Sequence, residues 1–384
     1  LRYYPWSKTA QDKLKQFLKE AEYKYNIGMN DLVYKPGLSL MEFMNWRFFK
    51  GIFKLDVFNS IASHIRKSFT NPKLIQLLEF PVLFLGALPK NTPALYSLMN
   101  YADIKLGTWY PMGGMHKIVE AMVNLATSLG VQIIYNEAVL GFDIKKGVVN
   151  AVKTAASKYN CDIVIAGADY HHIDQEVIEP PFRNYSESYW EKRIMAPSSL
   201  LFYLGIDKKI DGLQHHNLFF DEDFGQHAIE IYDHPQWPTK PLFYVSCPSV
   251  TDPLVAPVGK ENLFILIPVA PGIEDTDEIR EKYFDIVMDR LEKLTNQSIR
   301  KHIIYKKSYA HTNFMEDYNS FKGNAYGLAN TLSQTSLLKP GIKSKKINNL
   351  YFTGQLTVPG PGVPPSLISG EIVAKEILKN ISLN

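Results

Sequence analysis

Residues 349–377 read NLYFTGQLTVPGPGVPPSLISGEIVAKEI, and this stretch decides the fold. Leu350-Tyr351-Phe352-Thr353-Gly354 has the composition of a short buried strand running into a turn. The run Val358-Pro359-Gly360-Pro361-Gly362-Val363-Pro364-Pro365 then leads to a helix expected from Ser366. That helix carries Leu367, Ile368, Ile372, Val373, Ile377 and Leu378 at helical spacing. Such an order places a backbone turn at the carboxyl edge of a sheet, where open α/β sheets bind ligands. Pro364-Pro365-Ser366 suits a first helical turn, where a missing N–H costs little. Nearby free N–H groups carry partial positive charge and suit a phosphate or an electron-rich ring oxygen. By spacing alone, an ordinary strand–loop–helix connection is the alternative.

Working back from this segment, residues 162–166 (DIVIA) form a nearly all-apolar strand, as in a parallel sheet covered on both faces. It ends in Gly167-Ala168-Asp169, with Asp169 placed to cap a helix from Tyr170. Residues 137–142 and 148–154 read as an antiparallel pair across Lys145-Lys146-Gly147, and 131–135 as a short β-branched strand. Gly113-Gly114 opens a helix with Ile118, Val119, Met122, Leu125 and Ala126 as its apolar positions, ending at Gly130.

By pattern, residues 1–105 are mostly helical, the pattern changes to mixed helix and strand from 106, 171–310 are strand-rich, and the last 75 residues are loop-like until Asn349. In the first, 8–24 places Leu14, Phe17, Leu18 and Ala21 on one helix face, and Asn30 or Asp31 could cap a following turn. A helical pattern extends from Leu40 to Lys67, and Asn71-Pro72 starts another with Leu74, Leu77 and Leu78, until Pro81 interrupts it. In the third, 199–205, 242–247 and 263–269 read as strands and 275–295 as one long amphipathic helix.

Composition narrows the function classes. The 384 residues are 46% hydrophobic and 21% charged, which excludes disorder. A net charge of +3 on 42 basic and 39 acidic residues gives no argument for nucleic acid. Two cysteines, Cys161 and Cys247, build neither a disulfide framework nor a metal site. His171-His172 and His215-His216 lack a partner at metal-ligand spacing. Neither Gly-x-Gly-x-x-Gly nor Gly-x-Ser-x-Gly occurs. The longest apolar run, Phe80 to Leu88, is interrupted by Pro81 and Gly86, and a spanning helix needs about 20 apolar residues.

Taken together, three segments resemble one family. The 349–377 stretch is similar to the C-terminal flavin-binding signature of bacterial-type carotenoid desaturases. Residues 78–115 resemble the family's central region, and NAYGLANTLSQTSLLKPG at 324–341 resembles its Gly-Leu-x-x-x-x-x-Gln segment. The family comprises phytoene desaturases, hydroxycarotenoid or γ-carotene 3,4-desaturases and related isomerases. The resemblance implies an α/β flavoprotein-oxidoreductase (amine-oxidase-like) FAD domain, incomplete here and made of 106–170 and 311–384, a strand-rich substrate domain over 171–310 and a helical substrate and membrane-associated region over 1–105. It implies FAD as cofactor and a long apolar polyene as substrate, with a hydride passing from an allylic C–H to the flavin. A γ-carotene or hydroxycarotenoid end is the favoured substrate. Phytoene-type multi-step desaturation, carotenoid or retinoid isomerisation, and non-catalytic lipid binding are the alternatives.

Residue by residue, Val139 matches a position whose backbone meets the adenine. Gly354 and Gln355 match the turn near the ribityl-phosphate, and Gly362, Val363 and Pro364 the approach to the flavin ring. No acid or base residue is assigned. Such a substrate is loaded from a membrane, so a cytoplasmic protein peripheral on the inner face of the cell membrane is expected. The aromatic and basic stretch 46–67 and the apolar run 80–88 are its expected contact surface. Family members begin with a strand and a Gly-rich loop that cradle the FAD pyrophosphate. This chain starts Leu1-Arg2-Tyr3, so the biological protein is expected to be longer.

Overall fold

The computed structural model describes residues 8–43, 55–56, 59–85 and 88–382. The chain forms two compact units, one of residues 1–107, 139–196 and 326–384, the other of 108–138 and 197–325. Ten strands are assigned among the described residues: β1 Val139–Lys145, β2 Val148–Thr154, β3 Lys158–Asn160, β4 Val164–Ala166, β5 Ser198–Ile206, β6 His216–Phe219, β7 Phe243–Ser246, β8 Glu261–Val269, β9 Ile303–Tyr309 and β10 Leu350–Phe352.

In the first unit β10 pairs in parallel with β4, Leu350 opposite Val164 and Phe352 opposite Ala166. The antiparallel sheet β1-β2-β3 stands beside this pair. Its β1–β2 turn puts Lys146 and Gly147 at φ 51° and 74°, the two positive values that a type I′ hairpin turn requires. Asn349 ties the two sheets together. Its side chain accepts from Val149 N–H at 2.8 Å and donates to Val149 O and Asp162 O, both at 2.8 Å.

The helical part of this unit follows its apolar period. The Lys8–Ile27 helix buries Phe17, Leu18 and Ala21. The Ile61–Ser68 helix, capped by Ser60, and the Pro72–Glu79 helix, capped by Asn71, add Ile61, Ile65, Leu74 and Leu78 to the same core. Each such buried side chain contributes about 1.5–3 kcal/mol. The C-terminal helix, Val363–Ser382, packs Ile368, Ile372, Val373 and Ile377 against Ile342, Tyr351 and Val358.

The second unit is built on a sheet of order β6-β7-β8-β5-β9, antiparallel throughout. β8 buries every second residue, so the sheet has two distinct faces. One presents Leu200, Phe202, Leu204, Val245, Leu263, Ile265 and Ile267 to the Asp277–Thr295 helix, which answers with Phe284, Val287, Met288 and Leu291. The other carries Tyr203, Tyr244 and Phe264, none of them buried.

Several elements differ from the expectation. Residues 131–135 form no strand, and Ile134 and Tyr135 are 55% and 69% exposed. A β-branched run is only a strand when another strand pairs with it. The turn expected to be capped at Asn30 or Asp31 is absent, since one π-helical turn, Gly28–Leu32, continues the first helix through these positions. The 40–67 pattern is broken by the Ser60 cap; Leu40–Phe43 is a 3₁₀ turn, and 44–54 and 57–58 lie outside the described residues. β4 is covered on one side only, with Ile165 half exposed. Leu77, Leu367 and Leu378 face outward, and the His116–Ser128 helix buries none of its residues. Among the described residues no helix is long and apolar enough to cross a membrane.

Candidate functional site

The site is assembled in the first unit, at the carboxyl ends of β4 and β10. Thr353 N–H donates to Ala166 O at 3.0 Å and prolongs the parallel pair by one bond. Gly354 then turns the chain at φ 104°, a conformation in which L side chains are strained. Its N–H donates to Ser369 Oγ at 2.8 Å, and Ser369 Oγ donates to Ser366 O at 2.6 Å. The end of the strand is thus tied to the first turn of the C-terminal helix.

The 324–341 segment closes on this turn. Gly327 sits at φ 105°, and a Cβ there would lie 2.6 Å from Gln355 O. Residues 194–196 flank it: Ala196 N–H donates to Gly327 O at 2.7 Å and Ala329 N–H to Ile194 O at 3.0 Å. Gln334 clamps the arrangement, accepting from Ile194 N–H at 2.9 Å and donating to Ile194 O at 2.8 Å. Thr357 Oγ1 donates to Pro340 O at 2.6 Å. Gly360, at φ 139°, is pressed from the same side, with Asn330 Oδ1 at 3.1 Å and Lys339 Nζ at 3.3 Å from the position of a Cβ.

Accessibility along the loop alternates. Leu356, Thr357, Val358, Gly360 and Pro361 are buried, whereas Gly354, Gln355 and Gly362 are half-buried and Val363 and Pro364 exposed. The five positions matched to the cofactor here are all accessible, as is Pro359 between them. Val139 is separate from them. It opens β1, opposite Thr154, at the end of the β1–β2 ladder away from Val149 and Asn349. The helix N-terminus is poorer in donors than the spacing implied. Positions 364 and 365 have no N–H, and Ser366 N–H is bonded to Gly362 O at 3.0 Å, so Val363 carries the one amide of the first turn.

Other candidates resolve into structure. Asp169 Oδ1 accepts from His172 N–H at 3.1 Å and is the helix cap. Gly113 N–H is taken by Asp252 Oδ2 at 2.6 Å, so the Gly113-Gly114 turn is an internal link of the second unit. His215 and His216 bond to Thr251 and Tyr244. Burial pushes the Cys247 thiol up to about 12, away from any nucleophilic role. Among the described residues no group of His, Cys, Asp and Glu could hold a metal.

Two polar side-chain atoms, Lys339 Nζ and Asn330 Oδ1, lie beside Gly360. Lys339 and Asn330 are each 5% exposed, and Lys339 Nζ and Asn330 Oδ1 have no hydrogen-bond partner among the described residues. A Cβ on Gly360 would crowd both atoms, so a flavin finds no room there; the open backbone is at Gly354, where nothing lies within 4 Å of the missing Cβ and a ligand can approach. Neither atom was singled out from the sequence. The Lys-Pro at 339–340 was visible there as part of a motif, without a role.

Comparison with known proteins shows the family and the fold. A model of the flavin containing amine oxidoreductases matches residues 53–378. A carotenoid 3,4-desaturase of Haloarcula japonica is 36% identical over 374 residues, covering 97% of this chain and 76% of that protein. A zeta-carotene-forming phytoene desaturase of Myxococcus xanthus is 26% identical, covering 94% of this chain and 70% of that protein. Among solved structures, a putrescine oxidase variant superposes with TM-score 0.59 at 11% identity, covering 98% of this chain and 77% of the other. An oxidoreductase from Methanosarcina mazei gives TM-score 0.56 at 15% identity, covering 88% and 75%. At these identities the structures speak for the fold alone.

Proposed function

We propose, for a chain that belongs to the flavin containing amine oxidoreductases and within them to the carotenoid desaturases, FAD-dependent desaturation of a carotenoid at a γ-carotene or hydroxycarotenoid end. The observation that carries the choice of substrate is the 36% identity, over 97% of the chain, to a carotenoid 3,4-desaturase. The zeta-carotene-forming phytoene desaturase stands at 26%.

FAD, when bound, supplies a hydride acceptor for an allylic C–H bond. In this reading Gly354 and Gln355 take the ribityl-phosphate part, Gly362, Val363 and Pro364 approach the ring, and the backbone of Val139 meets the adenine. The glycines allow that approach because no Cβ intervenes. The polyene is taken by the accessible face of the five-stranded sheet. Tyr203 and Phe264 lie in ring contact there at 5.3 Å, and Tyr244 and Phe264 at 6.4 Å. A cleft of about 400 Å³ is lined on this face by Tyr203, Phe264, Val255, Ile304 and Tyr305. Aromatic walls hold a polyene by contact area and keep water away from it. Removing a proton beside a delocalised cation demands no strong base, so the chain's contribution is positioning.

Membrane contact through 46–67 and 80–88 completes the reading, with the protein peripheral on the inner face of the cell membrane. Val82, Leu88, Ile61 and Ile65 are buried in the helical core and do not belong to that surface. Arg66, its side chain 61% exposed, stays on the outer side of its helix.

The test is an assay of the purified protein with FAD on a hydroxycarotenoid, γ-carotene and phytoene, read by absorption. A red shift with the first two supports the proposal. A shift with phytoene alone would make this a multi-step desaturase. Isomer exchange without a gain in conjugation would make it an isomerase. A protein that retains no flavin yet floats with polyene-loaded liposomes would be a lipid-binding protein.

A further inference from the structure

One end of the five-stranded sheet carries an apolar lip. There β5 stops and β8 and β9 begin. The cleft beside Tyr203 and Phe264 is lined at this end by Val255 and Pro257, from the loop before β8, and by Ile304 and Tyr305 of β9. The loop reads TDPLVAPVGK at 251–260, with an unbroken apolar run at 253–258. Leu254 is 75% exposed and Val258 fully exposed. Apolar runs of this kind are kept out of surface loops unless they have a use there.

Polar anchors hold the run outward. Asp252, fully buried, accepts from Gly113 N–H at 2.6 Å and from Leu254 N–H at 2.9 Å. At the other end Lys260 N–H donates to Pro257 O at 3.0 Å, and Gly259 turns the chain at φ 78°. Pro253 and Pro257 stiffen the span between these ends. The charge left over beside the lip is positive. Asp207 is taken by His302, and Glu261 by Lys209. Lys260, and Lys307 opposite Tyr203, form no ion pair among the described residues.

Apolar side chains at a tip with cations beside them match the surface of an anionic bilayer. A second copy of the chain is a poorer match. A stable protein interface buries about 800 Å² on each partner, more than one loop tip supplies. The cleft behind the lip points the same way, because a polyene is dissolved in lipid and not in water. Resting on the polyene reading above, we propose that the 253–258 loop enters the surface of an anionic lipid bilayer and that the polyene passes from the acyl layer into the cleft behind it. Leu254 and Val258 reach the acyl boundary, while Lys260 and Lys307 stay at the headgroups. This contact is separate in the chain from 46–67 and 80–88.

The experiment is flotation of the intact protein with carotenoid-free vesicles of phosphatidylcholine and phosphatidylglycerol. Desaturation is then measured with carotenoid supplied in those vesicles or in detergent. Leu254→Ser combined with Val258→Ser should float at least about tenfold more weakly. Its turnover should fall in vesicles and stay unchanged in detergent. Lys260→Gln should weaken flotation about fivefold, and only where phosphatidylglycerol is present. Leu254→Trp reads the contact without relying on a loss: its added emission should shift to the blue on vesicles. A double variant that floats like the unsubstituted protein, or a Leu254→Trp emission that does not move, would overturn the proposal. So would an unsubstituted protein that ignores vesicles and forms dimers that the double variant loses, since the lip would then join two copies. A protein that floats through the lip yet alters no carotenoid in detergent would sink the desaturase reading and leave the bilayer contact supported.

Discussion

The carbonyl oxygen of Gln355 stands 2.6 Å from the place where Gly327 would carry a Cβ. Gly354, one residue earlier in that loop, has nearly the same backbone angle, φ 104° against 105°, but nothing within 4 Å of its own missing Cβ. Two glycines with one conformation therefore differ only in what a methyl group would meet.

That difference sets the first prediction. Gly354→Ala adds backbone strain of about 1–3 kcal/mol. Gly327→Ala adds the same strain and a collision with backbone that cannot swing aside, so it should lose more stability and release FAD. Urea unfolding of both variants checks the ordering. Equal losses would mean that the 324–341 and 354–366 segments are not packed as described.

Acid should unfold the second unit through His227. The ring is kept neutral: Nε2 bonds Pro268 O at 2.9 Å and Nδ1 accepts from Leu242 N–H at 3.0 Å. Burial lowers it to about 4 from 6.5. Between those values the unfolded chain binds more protons than the folded one, so stability falls as pH drops from 6.5 to 4. It is fully present above that window, and the loss amounts to about 3 kcal/mol. His227→Gln, which keeps a donor and an acceptor, should flatten the acid limb of a denaturation-versus-pH curve.

Asn349 makes three hydrogen bonds across two sheets. Asn349→Asp keeps the acceptor but loses both donors and places a charge against two carbonyls. It should cost more than Asn349→Ala, itself expected at about 1–3 kcal/mol. Thermal melting of the two variants decides; a milder Asp variant would contradict the bond directions.

Tyr203 is 40% exposed on the open face of the sheet. Tyr203→Ser should cost stability about 0.5–1.5 kcal/mol, the scale of the ring contact with Phe264 that it removes. If the polyene lies on this face, KM should rise about tenfold, the scale of one lost apolar contact. Steady-state kinetics on a carotenoid would show it, and an unchanged KM would move the substrate elsewhere.

What could be read in the sequence was local. The strand–turn–helix of 349–377, the Asn71 and Asp169 caps and the Asp277–Thr295 helix each carry their signal within a few residues. β6 and β9 were missed. The first is four residues long and the second carries Lys306 and Lys307, so neither has the continuous apolar run by which β8 is found. The same limit applies to the site. The glycines could be named from their motif, but the meeting of Gly327 with Gln355, and of Asn330 with Lys339 at Gly360, joins residues far apart in the chain. No period or spacing encodes that. The apolar face of the His116–Ser128 helix was readable as well, yet its residues are exposed. Periodicity says that a face is apolar and leaves open what lies against it.

The two prolines that begin the C-terminal helix have a consequence for selectivity. A phosphate group is held by several converging amides, and this helix end offers only that of Val363. The dipole remains, but it is delivered through one donor. Such an end discriminates by charge density: too few hydrogen bonds to desolvate a dianion, and enough to orient a single neutral oxygen. The helix should therefore stay indifferent to inorganic phosphate and leave recognition of the pyrophosphate to other parts of the protein.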